Sequence, residues 1–371
     1  MSLILDGSNG ITFPNSSTQA VGFYGFKNRI INGGMVIDQR DAGASVTAST
    51  TGSYVYTLDR WRYYATAASK YTVQQNAGSV TPPVGFTNYI GITSSSAYSV
   101  GSSDTFFLSQ VIEGFNIADL GWGTANAKTV TLSFQVYSSL TGTFGGSLRN
   151  LDAPNRSYPF SYTVSSANTW TTISVTIAGD ITGTWNTTNG QGIQVQLNLG
   201  SGSTLSGTAG SWQAGNLIAP TGATSVVGTN GATFYITGVQ LEAGSTATSF
   251  DYRPYGTELN LCQRYYEVMY EPFGAGRVNA TPACRYFARY SVIKRATPTI
   301  GYSGSFSTSD MYTVDTQQSS ASGLNTVSGT TTSGTIFGFN VSTLANQTPF
   351  TNSAMCFNLN NGASLTASAE L

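Results

Sequence analysis

Apolar and polar residues alternate along much of this chain with a period of two, the spacing of a half-buried strand. The pattern is clearest between Thr229 and Leu261. There Phe234 and Ile236 alternate with their neighbours, Gly238 interrupts, and Val239 and Leu241 resume. Gly244-Ser245, then Pro254 and Gly256, end the run with turn chemistry. This stretch predicts the closing strand of a β-sandwich and an exit into a different element. Upstream, strands are predicted at 54–64, 70–75, 89–93, 104–112, 129–138, 156–164, 170–177 and 192–199, with the closing strand at 233–241. Turn-rich pieces such as Thr141-Gly142-Thr143-Phe144-Gly145-Gly146 separate them. Such spacing is that of an all-β, antiparallel sandwich.

The flanks read differently. Residues 1–26 carry one charge, Asp6, and are too short for a core, so they are expected to be an extended attachment arm or a frayed terminus. From Lys27 to Arg40 two short apolar strands are expected around the turn signal Asn32-Gly33-Gly34. Trp61 is expected in the core, with Asp59, Arg60 and Arg62 pairing locally. A short helix is predicted at 256–264, with Thr257 as its N-cap. Beyond it, strands are predicted at 265–270, 285–293, 335–341 and 355–359, and Ser364 to Leu371 as a last edge strand. The Ser, Thr and Gly-rich tract from Ser303 to Ser333 predicts exposed loops. The chain therefore divides into an arm at 1–26, a sandwich at 27–255, a helical neck at 256–264 and a smaller distal β-domain at 265–371.

Several short motifs stand in order. Asn28-Arg29-Ile30-Ile31-Asn32-Gly33-Gly34-Met35 is followed by Asp38-Gln39-Arg40 and by Asp59-Arg60-Trp61. Val239-Gln240-Leu241-Glu242-Ala243-Gly244 is followed by Ala247-Thr248-Ser249-Phe250 and Arg253, and then by Glu258-Leu259-Asn260-Leu261-Cys262-Gln263-Arg264-Tyr265-Tyr266-Glu267. Over residues 27–267 this series resembles the jelly-roll, carbohydrate-binding-like modules of bacteriophage tail fibres and receptor-binding proteins. The resemblance implies a jelly-roll β-sandwich, a linker ahead of a distal tip, and a virion protein that grips a host surface.

Composition narrows the choice further. Only 9% of residues are charged and the net charge is -1, so no global field attracts nucleic acid or an anionic membrane. Residues 181–241 contain no Asp, Glu, Lys or Arg. Such a span is buried between identical chains or binds a neutral partner; in the second case Trp185 and Trp212 are the candidates for stacking on a glycan. No apolar run is long enough to cross a bilayer as a helix. The start, Met1 to Gly7, lacks a basic leader region, so synthesis in the host cytoplasm is expected.

There is no histidine, which removes histidine triads, histidine metal sites and histidine acid–base work. No phosphate-binding loop or dinucleotide fingerprint occurs. The remaining catalytic option is a carboxylate pair in a glycosidase cleft. Glu113, Asp119, Asp152 and Asp180 are its candidates, although each is as readily a turn cap or an arginine partner. Cys262, Cys284 and Cys356 fit no zinc spacing and are expected as buried thiols. No cofactor is implied; a structural calcium stays open. The expectation is a non-enzymatic, homotrimeric tail fibre. It would bind other virion proteins through its arm and a host-surface glycan or protein through its far end. A head-bound fibre or decoration protein is the alternative, and a polysaccharide-degrading tailspike a third.

Overall fold

The computed structural model describes residues 26–270, Gly274–Ala280, Ala283–Arg289, 290–303, Met311–Thr313, Ile336–Ser342, Ala354–Phe357 and 364–371. Short strands at Ile4–Asp6, Gly10–Thr12 and Thr18–Gln19 pair antiparallel with one another. The sandwich strands are β1 (Val46–Thr47), β2 (Val55–Tyr56), β3 (Arg62–Ala65), β4 (Tyr71–Gln75), β5 (Ile90–Ser94), β6 (Thr105–Glu113) and β7 (Val130–Ser138). They continue as β8 (Gly142–Arg149), β9 (Arg156–Val164), β10 (Thr171–Ile177), β11 (Gln191–Ser201), β12 (Ser206–Gly207), β13 (Gln213–Ala214), β14 (Ala219–Pro220) and β15 (Thr233–Ala243). One sheet has six strands in the order β10-β7-β15-β5-β4-β1. The other has seven, in the order β13-β9-β8-β11-β6-β3-β2. All pairs within both sheets are antiparallel, and the chain repeatedly crosses from one sheet to the other, as in a jelly roll.

Period two explains which side chains meet. In β11, Ile193, Val195, Leu197 and Leu199 face the other sheet, while Gln194, Gln196 and Asn198 face outward. The inward residues join Leu108, Leu132, Phe134, Phe144, Leu148, Phe160, Phe234 and Leu241 in one core. The predicted strands from 70 to 241 all appear, within two residues at most ends. Three expectations change. The segment read as a turn from Thr141 to Gly146 opens strand β8, because a Cβ at Gly146 would strike the Gln196 carbonyl and one at Gly145 would strike the Phe160 carbonyl and Pro220. These glycines permit close strand packing rather than a turn. The run 54–64 breaks into β2 and β3, since Arg60 has a φ of +70° and Trp61 N–H bonds to the Leu58 carbonyl. Residues 27–40 form no strand; the extended chain runs beside β15, donating Arg29 N–H to Leu241 O, and Gly33 O accepts from Val239 N–H.

The helix α1 spans Tyr255–Gln263. Its N-cap is Pro254, whose carbonyl accepts from Thr257 and Glu258, so Thr257 lies in the first turn and is not the cap. Proline suits this boundary because it has no N–H to satisfy. The helix buries Cys262, which packs with Ile31, Ile37 and Tyr265. After it come β16 (Tyr266–Tyr270), β17 (Thr299–Ser303) and β18 (Ser364–Ser368). β18 is the central strand of this sheet and pairs with both others, which corrects its reading as an edge. A second sheet of five strands joins Gly274–Ala280, Ala283–Arg289, Met311–Thr313, Ile336–Ser342 and Ala354–Phe357. Cys284, Cys356 and most of the tract 303–333 lie outside the described side chains.

The family-like motifs converge at one polar junction. Asn28 bonds to Val239 O and Leu241 N of β15, and the Asn32 side chain bonds to Ile37 and to Asp59 O. Trp61, in the core as expected, donates Nε1–H to Asn32 O. Arg253 reaches the carbonyls of Asn28 and Ile30 and pairs with Glu258. Asp59, Arg60 and Arg62 do not pair locally. Asp59 accepts from Gln39 N–H and Nε2–H, and burial pushes its carboxyl up to about 6. Arg60 is fully buried, stacks on the Tyr265 ring and pairs with Glu370, which also holds Arg40. Replacing Glu370 with Gln strands one buried guanidinium and weakens another. Equilibrium denaturation of Glu370→Gln should show a loss of about 3 kcal/mol; an unchanged midpoint would contradict the junction.

Candidate functional site: a groove on the seven-stranded sheet

Strand registry builds a polar and aromatic surface on the outer face of the seven-stranded sheet. Tyr64 of β3 lies opposite Phe107 of β6, which lies opposite Asn198 of β11. In the next row Arg62 lies opposite Ser109, Ser109 opposite Gln196, and Gln196 opposite Ser147 of β8. Gln194 faces Arg149 in the row beyond. The same alternation that sends Ile193, Val195 and Leu197 inward therefore lines up Gln, Asn, Ser and Arg outside.

Two segments rise over this face and make it a groove of about 380 Å³. One wall is Gly52 and Tyr54, ahead of β2. The other is Leu205, Asn216 and Ile218, around the short parallel pair β12 and β14, with Ser103 at one end. The floor is Tyr64 and Phe107 with the hydroxyls of Thr66 and Thr105. The Tyr64 and Phe107 rings stack at 5.4 Å and 9°, and Tyr54 tilts onto Tyr64 at 5.2 Å. Tyr54 keeps 38% of its surface exposed. The Arg62 guanidinium sits 3.8 Å from the centroid of that ring.

Arg149 reaches into the groove. Its Nε donates to Asn150 O and its Nη1 to Asn216 Oδ1. Burial and the neighbouring charge of Arg62 hold its pKa below the ordinary arginine value, with Tyr54 opposing. Beside it, Ser147 donates to Gln196 Oε1 at 2.7 Å and Gln194 donates to Ser109 Oγ at 3.2 Å. The other ends of these amides, Gln194 Oε1 and Gln196 Nε2, are buried without partners, as are Arg62 Nε and Nη2. Unsatisfied polar atoms on a strand face are uncommon in a settled fold.

The residues singled out in sequence lie elsewhere. Trp185 is buried and joins Trp122 and Trp212 in an edge-to-face cluster at 4.7–5.4 Å, with its Nε1–H given to Thr182 O. Trp212 is half-buried, contacts Tyr158 at 5.3 Å and donates Nε1–H to Ala178 O. Of the four candidate carboxylates, Glu113 binds Arg264 and the Tyr265 hydroxyl, Asp119 binds Arg29, and Asp180 binds Arg156 through both oxygens. Burial raises the Asp180 pKa, but the hydrogen bonds from Arg156 and Thr182 and the Arg156 charge together outweigh it, and the net direction is down. Asp152 lies half-buried after β8. Among the described residues no Asp or Glu lines the groove. Cys262 is a buried free thiol whose pKa burial drives up. Among the described residues no three of His, Cys, Asp and Glu converge as metal ligands, and no helix is long and apolar enough to cross a membrane.

No protein-family model matches the chain, and no curated protein does. Solved structures do. The enzymatically active domain of tailspike protein 4 from bacteriophage CBA120 is similar at 13% identity and a TM-score of 0.29, over 50% of this chain and 20% of that one. The family 11 carbohydrate-binding module of a Clostridium thermocellum cellulosomal cellulase is similar at 9% identity and a TM-score of 0.26, over 55% of this chain and 98% of the module. The CBM22-1–GH10 modules of a C. thermocellum xylanase, complexed with xylohexaose, are similar at 14% identity and a TM-score of 0.29, over 61% and 32%.

The cluster of three tryptophans gives Trp185 a packing role that can be measured. Trp185→Ala should lower unfolding stability by about 3 kcal/mol through the cavity it opens. A ring serving only as a surface platform would leave thermal and denaturant midpoints where they are.

Proposed function

We propose that this protein is a glycan-binding component of a bacteriophage fibre and that the outer-face groove is its sugar site. The observation that carries the reading is the stacked pair Tyr64 and Phe107 beneath an exposed Tyr54, ringed by Thr, Ser and Asn side chains. A pyranose ring presents C–H bonds that pack on an aromatic face and hydroxyls that seek such polar partners. Among the described residues the groove's lining holds no carboxylate, which favours binding over a hydrolysis that needs two. The fibre assignment rests on the motifs from Asn28 to Glu267. On this reading three copies associate, residues 1–26 attach them to the particle, and the sugar is host-surface polysaccharide. Each contact is weak, and three linked sites raise the effective affinity without new contacts.

Affinity electrophoresis in host-surface polysaccharide tests the site, and light scattering tied to chromatography tests the assembly. Tyr54→Ala and Tyr64→Ala should each weaken binding about tenfold, the size of one lost stacking contact, and the scattering mass should be three times that of one chain. Variants that bind as the unaltered protein would remove the groove from the account. A stable monomer would remove the trimer.

A further inference from the structure

We propose that the saccharide held in this groove is anionic and that Arg149 binds its acid group. The inference rests on the groove being the glycan site, and it adds the chemical class of the ligand.

The other buried cations of this chain are paired with acids. Arg40 and Arg60 hold Glu370, Arg156 holds Asp180, Arg253 holds Glu258, Arg264 holds Glu113, and Lys294 holds Glu267. A buried guanidinium without an anion is costly, so pairing of this kind is the rule. Arg149 breaks it. Among the described residues no Asp or Glu pairs with Arg149, and Arg62 is held by Leu371 O; both lie on the outer face of the seven-stranded sheet.

Among the described residues Arg149 is anchored by two neutral acceptors, Asn150 O and Asn216 Oδ1, and it lines the groove. Arg62 gives Nη1 to Leu371 O and leaves Nε and Nη2 unpartnered. Its charge adds to the positive field at Arg149. The walls supply nothing to offset this field. Residues 42–58, which carry Gly52 and Tyr54, contain no charged side chain, and neither do residues 181–241, which carry Leu205, Asn216 and Ile218. Asp104, between the lining residues Ser103 and Thr105, is taken up by Gly101 N–H and the Tyr98 hydroxyl. A groove with aromatic walls, hydroxyls and an uncompensated cation is complementary to a sugar that carries its own negative charge. A uronic acid or a sulfated sugar has that chemistry.

Ligand-observed NMR on the full chain tests this with D-glucuronate, D-galacturonate and galactose 6-sulfate against D-glucose and D-galactose. The acidic sugars should bind about tenfold tighter than the neutral ones, the effect of one charge-assisted hydrogen bond. Arg149→Gln should abolish the preference, and raising the ionic strength to about 1 M, with a screening length of about 3 Å, should weaken it. The carboxylate and sulfate arms separate the two sources of charge. Equal binding of acidic and neutral sugars, or a preference that survives in Arg149→Gln, overturns the proposal and leaves the groove reading standing. Binding of no sugar at all overturns the groove reading itself. If Arg149→Gln does not fold, the comparison of acidic with neutral sugars and the salt titration on the unaltered protein decide.

Discussion

Removing a guanidinium from water costs several kcal/mol unless a carboxylate comes with it, and this chain meets that demand across long separations. Arg60 in the β2–β3 turn finds Glu370, and Arg264 after the helix finds Glu113 at the end of β6. The chain has 16 basic and 17 acidic residues in 371. With charges so sparse, these pairs act as ties between segments that the hydrophobic core does not join. The opening stretch, the closing strand, α1 and the residues around β18 meet where Arg40, Arg60 and Arg253 are neutralised. The core supplies most of the stabilisation through apolar burial; the ion pairs fix which distant segments lie against it.

The same constraint sets the site apart. Everywhere else in the sandwich a buried arginine has its acid. On the outer face of the seven-stranded sheet, Arg149 stands without one, beside half-paired amides of Gln194 and Gln196. Stability alone would favour apolar residues at such positions. Their presence beside a ring-lined groove is a departure of the kind that functional sites make from the rules of folding.

Period-two patterning made the sandwich legible, because its strands are long and bury one face or both. What escaped has physical causes. Gly145 and Gly146 resemble turn residues until their neighbours show why no Cβ fits. Arg60 in left-handed backbone splits an otherwise continuous strand pattern. The partners of Arg60 and Arg264 lie 310 and 151 residues away, where no local spacing can reveal them. The family-like motifs were visible, and they mark the polar junction. The groove was half legible. Gln194, Gln196 and Asn198 alternate with Ile193, Val195 and Leu197, which signals a polar outer face, but Tyr54, Tyr64 and Arg149 join them only through sheet order. Trp185 and Trp212 drew notice because their span is uncharged, whereas their rings pack with Trp122.

The central claim is that paired arginines hold this fold and that Arg149, paired with no acid, awaits a ligand. Side-chain Nε–H resonances of the arginines, followed by NMR while an acidic sugar is added, report on it residue by residue. The account predicts that the Arg149 signal moves, with a smaller change at Arg62, while Arg60 and Arg253 stay in place. An Arg149 signal that stays still, or a uniform drift of all four, would contradict it.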